Sequence, residues 1–185
     1  MRLFVAIEVD EQIASALTAI QQRLERPFPA LRMCLPQALH LTLQFLGEVD
    51  ETRLPAVVGA LSGVAAGRAS FEISPGEITA FPYRGTPAVV CCALNGETAA
   101  LENLRAAVFD VMAECGCRQE NRNFTPHITL ARLRRGTRAS GLREALSELA
   151  PAQSSQTVRH FSLIQSTLLP SGSQYSTLHR FNLER

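Results

Sequence analysis

The sequence N-F-T-P-H-I-T-L-A-R-L-R-R, at Asn123–Arg135, contains the pattern from which the rest of the chain can be interpreted. From His127 to Leu130 polar and apolar residues alternate and β-branched residues are frequent, which predicts a half-buried strand. Side chains two residues apart in a strand share a face. We therefore expect His127 and Thr129 to lie on one face of this strand, and Ile128 and Leu130 to point into a core.

A second copy of the pattern, H-L-T-L, occurs upstream at His40–Leu43. One His-x-Thr sequence is a weak indication and is more often structural than catalytic. The chain has four histidines, however, and two of them begin matching sequences of this kind. The two strands therefore predict two imidazoles, from His40 and His127, and two hydroxyls, from Thr42 and Thr129, as candidates for one site.

The segments around the two motifs also repeat. The predicted strands are Arg2–Ile7, His40–Leu46, Phe71–Pro82 (extended), Ala88–Leu94, Phe124–Leu133, Val158–Leu169 and Tyr175–Leu183, the last after a turn at Pro170–Ser173. Helical spacing of apolar residues predicts helices at Glu11–Arg26 and Glu97–Glu114, and we also expect helices at the Ala-rich segment Leu54–Val64 and at Ser140–Leu149. The motif histidines are 87 positions apart. With the same offset, Ala88–Leu94 corresponds to Met1–Ile7 and Val158 corresponds to Phe71. The order of elements that occurs twice is therefore strand, helix, motif strand, helix and strand.

This repetition predicts an α+β fold of two lobes related by a pseudo-twofold axis. Each lobe is expected to be a mainly antiparallel sheet with helices on its outer face. Residues 1–185 are expected to form a single domain, because a chain of this length buries one sizeable core. Ligand sites favour interfaces between such lobes, so the cleft between them is the expected position of the active site.

Composition limits the possible functions. The net charge is +1, with 46% hydrophobic and 19% charged residues, which argues against coating long nucleic acid by bulk charge but not against a local basic site. All 18 positive side chains are arginine. The absence of lysine excludes a lysine Schiff base, a P-loop lysine and a lysyl-adenylate ligase intermediate.

The cysteines and the apolar segments indicate the compartment. The five cysteines form no C-x-x-C sequence, and their odd number favours a reducing, cytoplasmic location. The pair Cys115 and Cys117 is either redox-active or, as we expect, part of a turn at a helix end. We recognise no signal peptide and no apolar run that would span a membrane, and we expect a monomer.

Histidines also bind metals, so a metal site is the chemical alternative. Catalytic zinc requires three protein ligands. Each motif supplies one histidine with no acid two or four residues later, and Glu48 and Asp50 lie beyond a glycine turn. We therefore predict no metal and no cofactor. Two imidazoles and two hydroxyls instead suit a phosphate group: hydroxyls hold its oxygens, one imidazole takes a proton and the other gives one.

Two H-x-T-apolar strands in duplicated halves resemble the 2H phosphoesterase superfamily. The segments M-R-L-F-V-A-I at the start, H-L-T-L-Q-F-L-G-E-V at His40–Val49 and F-T-P-H-I-T-L-A-R at Phe124–Arg132 are similar to those of the RNA 2′,3′-cyclic phosphodiesterases, historically called 2′-5′ RNA ligases. The later residues Gln165–Leu168, Gly172 and Tyr175 also resemble that family's C-terminal pattern.

The resemblance implies a metal-independent hydrolase that opens a terminal RNA 2′,3′-cyclic phosphate to a 2′-phosphate. It also implies that the same enzyme can join such an end to a 5′-hydroxyl without ATP, forming a 2′-5′ linkage. By the same resemblance His40 is the proton donor and His127 the proton acceptor, which the symmetry of the sequence does not decide. Two alternatives stay open: a non-catalytic module that binds phosphorylated RNA ends, or a phosphodiesterase acting on small cyclic nucleotides or 2′-5′ oligonucleotides.

Further residues are candidates for substrate binding. The family pattern uses an arginine at Arg132, although strict alternation places it on the face opposite His127; a bulge would return it to that face. By the offset of 87, Phe45 matches Arg132 and either stacks on a base or belongs to the core. Tyr175 and Ser166 are candidate pocket residues.

Other polar residues have simpler interpretations. The cluster Arg134, Arg135 and Arg138 either follows the RNA backbone or forms an ordinary solvated loop. His160 and His179 lack the x-Thr partner and are interpreted as structural.

Overall fold

The computed structural model describes residues 1–117, 124–169 and 172–184. These residues form one nine-stranded sheet and four α-helices. The strands are β1 (Arg2–Glu8), β2 (Leu31–Met33), β3 (His40–Glu48), β4 (Phe71–Phe81), β5 (Val89–Gly96), β6 (His127–Leu133), β7 (Gln156–Val158), β8 (His160–Leu169) and β9 (Gly172–Asn182). The helices are α1 (Glu11–Glu25), α2 (Leu54–Ala65), α3 (Thr98–Glu114) and α4 (Leu142–Ser147). Asn123 and part of the predicted turn Pro170–Ser173 lie outside these ranges.

The strand order confirms the duplication. The sheet runs β7-β4-β5-β6-β3-β1-β8-β9, with β2 paired to β6. The motif strands β3 and β6 lie at its centre and are joined through Leu41 and Ile128. On either side of this junction β4-β5-β6 mirrors β8-β1-β3, and all of these pairs are antiparallel. The predicted α+β fold with a pseudo-twofold relation is therefore correct, and the two half-sheets are continuous.

The constant offset of 87 holds for the motif strands but is wrong for their neighbours. Thr42 lies opposite Ala6, whereas Thr129 lies opposite Cys91, so β5 matches β1 with an offset of 85. The predicted equivalence of Val158 with Phe71 is wrong as well, because these two residues are partners across β7 and β4. The register of each strand is set by the face that it buries, so the segments that connect the strands can differ in length between the two halves.

All four helices pack on one face of the sheet. One cluster of buried residues includes members of both halves: Leu3, Val5 and Ile7 of β1, Ile13 and Leu17 of α1, Leu61 of α2, Leu101 and Val108 of α3, Ile128 and Leu130 of β6, and Leu142 of α4. Full burial of one such side chain contributes about 1.5–3 kcal/mol. A smaller cluster of Phe4, Ala6 and Ile164 lies apart from this core, on the opposite face of β1 and β8. In the part of the chain that the structure describes, the helices lie on the other face, and this face carries the motif histidines.

The helix ends follow local chemistry. The Asp10 side chain accepts a 2.8 Å hydrogen bond from the Ile13 N–H and caps α1. Helix α3 ends at Glu114 with Cys115 as its C-cap, and Gly116 follows with φ +63°, a left-handed conformation that favours glycine. The two cysteines of the 115–117 sequence therefore flank a helix-terminal turn, as expected.

Several predicted bounds change in the structure. The predicted helix Ser140–Leu149 is shorter because Gly141, with φ +73°, precedes its first turn. The predicted strand Val158–Leu169 is divided between β7 and β8. Strand β2 is missed, since three residues are too few for a periodic pattern. No helix in the described ranges combines the length and hydrophobicity needed to cross a membrane.

Candidate active site

The two motif imidazoles are held in the same way. The Nδ1 atom of His40 lies 2.7 Å from the carbonyl oxygen of Ala38, and the Nδ1 atom of His127 lies 2.7 Å from that of Thr125. A carbonyl oxygen only accepts hydrogen bonds, so Nδ1 carries the proton in both rings. The nitrogen left for chemistry is therefore Nε2 in each case.

The two motif hydroxyls lie on the same face as the imidazoles. Thr42 and Thr129 are partly exposed, and neither hydroxyl is hydrogen-bonded to another described residue. The residues opposite them, Ala6 and Cys91, are small and completely buried. Small neighbours leave room above the strand, so both hydroxyls are free to donate to a bound group.

A β-bulge in β6 brings Arg132 onto the face of the motif. Between Thr129 and Ala131 strand β6 advances two residues while β5 advances one, so Leu130 is the extra residue. Leu130 and Ala131 are both completely buried in the core cluster, and Arg132 is exposed. A bulge shifts the alternation by one residue. The position that strict alternation predicts for Arg132, on the face opposite His127, is therefore wrong. Because of the bulge, Arg132 lies on the same face as His127 and can belong to the site.

Strand β3 has the same bulge, one repeat earlier. Between Thr42 and Gln44 the extra residue is Leu43, 87 positions before Leu130. Leu43 and Gln44 are buried, whereas Phe45 has 42% of its surface exposed. Phe45 therefore belongs to the motif face of β3, as Arg132 belongs to that of β6, and a core position for Phe45 is excluded.

Charges from both halves act on His40. Burial lowers the pKa of His40 below its ordinary value, and the positive charges of Arg132 and His127 lower it further. The hydrogen bond to Ala38 and the carboxylate of Glu8 act in the opposite direction. Leu41 and Ile128, which follow the two histidines in the sequence, are partners on the β3–β6 ladder. The motif residues of the two strands are thus close together, and an anion bound among them would raise the pKa of His40.

The carboxylate of Glu8 makes the two histidines different. Glu8 is the partner of His40 on the β1–β3 ladder. Its oxygens accept hydrogen bonds from Ser162 (2.7 Å), Thr177 (3.2 Å) and Arg180 (3.4 Å). Burial raises the pKa of Glu8, but these hydrogen bonds and the charge of Arg180 outweigh it, so that its pKa lies below the ordinary value.

The corresponding position in the second half has no acid, because Ala93 is the residue opposite His127. Glu8 was not singled out from the sequence. The only signal was its position two residues after Ala6 on the same face of a strand that otherwise appeared wholly buried.

Aromatic side chains surround His40. Its ring centroid lies 4.9 Å from that of Phe4 and 5.2 Å from that of Tyr175, and the Phe45 ring lies 5.8 Å from Phe4. Phe4 is buried, whereas Phe45 and Tyr175 have 42% and 37% of their surfaces exposed. We call Phe4, Phe45 and Tyr175 the first aromatic platform. The structure thus brings the predicted residues Phe45 and Tyr175 to the same histidine.

A second pair of rings lies beside the other histidine. The Phe81 ring packs edge-on against His127 at 5.3 Å, and Tyr83 packs against Phe81 at 4.7 Å. We call Phe81 and Tyr83 the second aromatic platform. Neither residue was predicted to belong to the site, because the sequence around them is typical of an ordinary turn.

The remaining predicted residues are less central. His160 lies 3.9 Å from Glu8, and His179 packs against Phe181, contacts that suit the structural role expected for both histidines. Ser166 is the ladder partner of Tyr175. The arginine cluster follows the end of β6 and is exposed at all three positions, Arg134, Arg135 and Arg138, and its contact with RNA stays a prediction.

The described cysteines and acids provide no second chemistry at this face. Burial raises the pKa of the Cys91 thiol to about 12 and that of Cys92 to about 11, so both remain protonated. In residues 1–117, 124–169 and 172–184 no three histidine, cysteine or acidic side chains are grouped to hold a metal ion. A groove of about 700 Å³ lies elsewhere, lined by Gln12, Ser74, Glu77, Asn95 and residues 149–155. None of the predicted site residues lines that groove.

A family model described as the 2′-5′ RNA ligase superfamily matches residues 9–168 of the chain. This chain belongs to the 2′-5′ RNA ligase superfamily. The superfamily resemblance inferred from the two motifs is therefore confirmed, and the match includes both of them.

Individual members of the superfamily agree over the whole chain. An Archaeoglobus fulgidus protein named RNA 2′,3′-cyclic phosphodiesterase is 34% identical, over 98% of this chain and 99% of its own length. A Thermus thermophilus protein of known structure is 32% identical with a TM-score of 0.81, over 99% of this chain and 98% of that chain. The structure of E. coli LigT complexed with 3′-AMP is 26% identical with a TM-score of 0.79, over 100% of this chain and 98% of that chain.

Proposed function

We propose that this protein is an RNA 2′,3′-cyclic phosphodiesterase, a hydrolase that opens the cyclic phosphate at an RNA end to a 2′-phosphomonoester. The observation that carries the proposal is the pair of His-x-Thr motifs, which share one face of the sheet with both Nδ1 atoms bonded to backbone carbonyls. Relatives with the corresponding name support it.

The proposed reaction uses the four motif side chains directly. His127 Nε2 accepts a proton from water as the water oxygen attacks phosphorus, and His40 Nε2 donates a proton to the departing ribose 3′-oxygen. The hydroxyls of Thr42 and Thr129 donate hydrogen bonds to the non-bridging phosphate oxygens, whose charge grows in the transition state. In-line displacement places the attacking and leaving oxygens on opposite sides of phosphorus, which suits histidines from two half-sheets.

One neighbour of His40, the carboxylate of Glu8, supports its assignment as the acid, against burial and the charge of Arg132, which lower the pKa of His40. A proton donor must be protonated when substrate binds, and Glu8, opposite His40, favours the protonated form. The bound phosphate anion acts in the same direction. His127 has Ala93 opposite it and therefore lacks a carboxylate at the equivalent position.

Substrate binding is proposed to involve both strands of the motif. The positive charge of Arg132 suits the phosphate, and the exposed rings of Phe45 and Tyr175 suit a nucleobase. We further propose that residues 1–185 act as one domain and as a monomer. A core cluster shared by both halves supports the single domain. The cysteine usage of the sequence supports a cytoplasmic location.

We also propose that the enzyme joins a cyclic-phosphate end to a 5′-hydroxyl without ATP. The strained ring supplies the driving force, and an RNA hydroxyl replaces water as the nucleophile. The superfamily match favours this second activity.

Incubation with an oligonucleotide ending in a 2′,3′-cyclic phosphate tests the proposed function. We expect 2′-phosphate ends to form in excess chelator and without ATP, because the proposed mechanism uses protein groups alone for every proton transfer. Resistance to a phosphatase before ring opening and sensitivity after it show that a phosphomonoester has formed, and comparison with authentic 2′- and 3′-phosphate ends identifies the isomer. Loss of turnover in chelator that a divalent ion restores would contradict the metal-free mechanism, and binding without turnover would favour a binding module.

Replacing Arg132 by glutamine is expected to raise KM about 10- to 100-fold, the range for losing a hydrogen bond to a charged group, with a smaller change in kcat. It should also move the alkaline limb of the kcat/KM profile to higher pH. Removing the positive charge raises the pKa of His40, so the acid stays protonated to higher pH. Steady-state kinetics between pH 5 and pH 9 measure both effects.

Glu8→Gln is the matched control for the pH effect. It removes a negative charge from the neighbourhood of the same imidazole, so the alkaline limb should move to lower pH. A limb that moves in the same direction in both variants would show that His40 is not the group observed, and an unchanged KM in Arg132→Gln would leave Arg132 as a surface charge.

A further inference from the structure

The second aromatic platform has an exposed ring close to a candidate catalytic histidine. Tyr83 has 62% of its surface exposed although its ring packs on Phe81, and Phe81 contacts the ring of His127. The tyrosine is thus joined to a candidate catalytic histidine through one intervening ring. Exposed aromatic rings beside a phosphate site are the surfaces on which unpaired bases stack.

The loop that carries Tyr83 is fastened to the body of the protein. The guanidinium of Arg143, on α4, donates hydrogen bonds to the carbonyl oxygens of Ala80 (3.2 Å), Pro82 (2.6 Å) and Gly85 (3.2 Å). Hydrogen bonds from a charged donor are stronger than neutral ones. The loop sequence P-Y-R-G-T-P has little apolar surface of its own to bury, so these bonds hold the platform beside His127.

We propose that the second aromatic platform binds the base of the nucleoside whose 5′-hydroxyl attacks the cyclic phosphate in 2′-5′ ligation. The inference rests on the proposed function, in which His127 accepts the proton of the attacking oxygen. That oxygen approaches opposite the leaving group. The acceptor nucleoside therefore lies on the His127 side of phosphorus, where Phe81 and Tyr83 are, and the donor nucleoside lies against the first aromatic platform.

The step in which the platform acts is balanced without a further reactant. The acceptor 5′-oxygen forms a bond to phosphorus, the bond between phosphorus and the 3′-oxygen breaks, and the 2′-oxygen stays attached. The proton of the 5′-hydroxyl passes to His127 Nε2, and a proton from His40 Nε2 passes to the 3′-oxygen. Hydrolysis is the same step with water in place of the acceptor, and water has no base to stack.

Tyr83→Ala tests the inference in a competition between the two reactions. The purified protein receives an oligonucleotide with a 2′,3′-cyclic phosphate and a second one with a free 5′-hydroxyl, kept below its KM. Ligated and hydrolysed products are measured in the same reaction. Base stacking on an aromatic ring is strong enough that the ratio of ligation to hydrolysis should fall by about 10-fold, while hydrolysis changes much less.

Three further variants separate the platform from general damage. Tyr83→Phe keeps the ring and should keep the ratio. Arg143→Gln releases the loop and should lower the ratio in the same direction as Tyr83→Ala, with rescue by higher acceptor concentration. Tyr175→Ala, on the first aromatic platform, should slow ligation and hydrolysis together.

The outcomes distinguish this inference from the proposed function. Hydrolysis with an unchanged product ratio in Tyr83→Ala, an equal fall in both reactions, or no ligation by the wild type at any acceptor concentration would overturn the acceptor site and leave the phosphodiesterase standing. Absence of hydrolysis by the wild type would overturn the proposed function itself.

Discussion

Replacing His40 by alanine is expected to slow the opening of a 2′,3′-cyclic phosphate by about 10²–10⁴, the usual contribution of one general acid. The reason is the proposed role of its Nε2 atom, since Nδ1 is already bonded to the Ala38 carbonyl. Without a proton, the ribose 3′-oxygen would have to leave as an alkoxide. A substrate with sulfur at the bridging 3′ position removes this requirement, because a thiolate leaves unprotonated. The His40→Ala variant should therefore regain much of its lost rate on the sulfur substrate.

His127→Ala is the matched variant and should lose a comparable factor, about 10²–10⁴, without rescue by sulfur. Its proposed task is to deprotonate water, which the leaving group does not affect. Rescue of His127→Ala alone would reverse the two roles. Rescue of neither variant would contradict the acid–base scheme. Because His40 packs between Phe4 and Tyr175, the Tm of both variants should be measured to confirm that the rate reports chemistry and not unfolding.

Removing either motif hydroxyl is the second large expected effect. Thr42→Ala and Thr129→Ala should each slow turnover by about 10²–10³, the loss measured when one donor to a developing oxyanion is deleted. The loss should fall mainly on kcat, since these hydrogen bonds strengthen as charge develops in the transition state. Neither hydroxyl is bonded to another described residue, so their removal breaks no internal hydrogen bond. Stability should consequently change little.

Two substitutions at each threonine sharpen this prediction. Serine keeps the hydroxyl and should retain more activity than alanine. Valine keeps the branched shape that suits a strand but replaces the hydroxyl by a methyl group, so it should be as slow as alanine while folding normally. Full activity in Thr42→Val or Thr129→Val would show that the hydroxyl at that position does not contact the phosphate.

Local patterns were sufficient for much of the fold. The helical spacing of apolar residues located α1 and α3, because each of them buries one stripe against the sheet, and the other two predicted helices correspond to α2 and α4. The shared face of His40 with Thr42, and of His127 with Thr129, followed from strand alternation over two residues. The duplication followed from the spacing of the two motifs. Their catalytic roles remain predictions, which the variants above would test.

The features that local pattern missed depend on partners distant in the chain. The bulges at Leu43 and Leu130, which bring Phe45 and Arg132 to the motif face, exist only in the register of β3 against β1 and of β6 against β5. Strand pairing also sets the offset of 85 residues between β1 and β5, which differs by two from the offset of 87 between the motif strands.

The sequence by itself therefore determined the family, the α+β duplication and the shared faces of the four motif side chains, because these follow from residue patterns within single strands and from the spacing of the two motifs along the chain. Only the tertiary structure decided that Glu8 faces His40 while Ala93 faces His127, and that separate aromatic platforms lie beside the two histidines. Strand pairing and packing bring these residues together across long stretches of chain. No local propensity specifies which residue a strand will face.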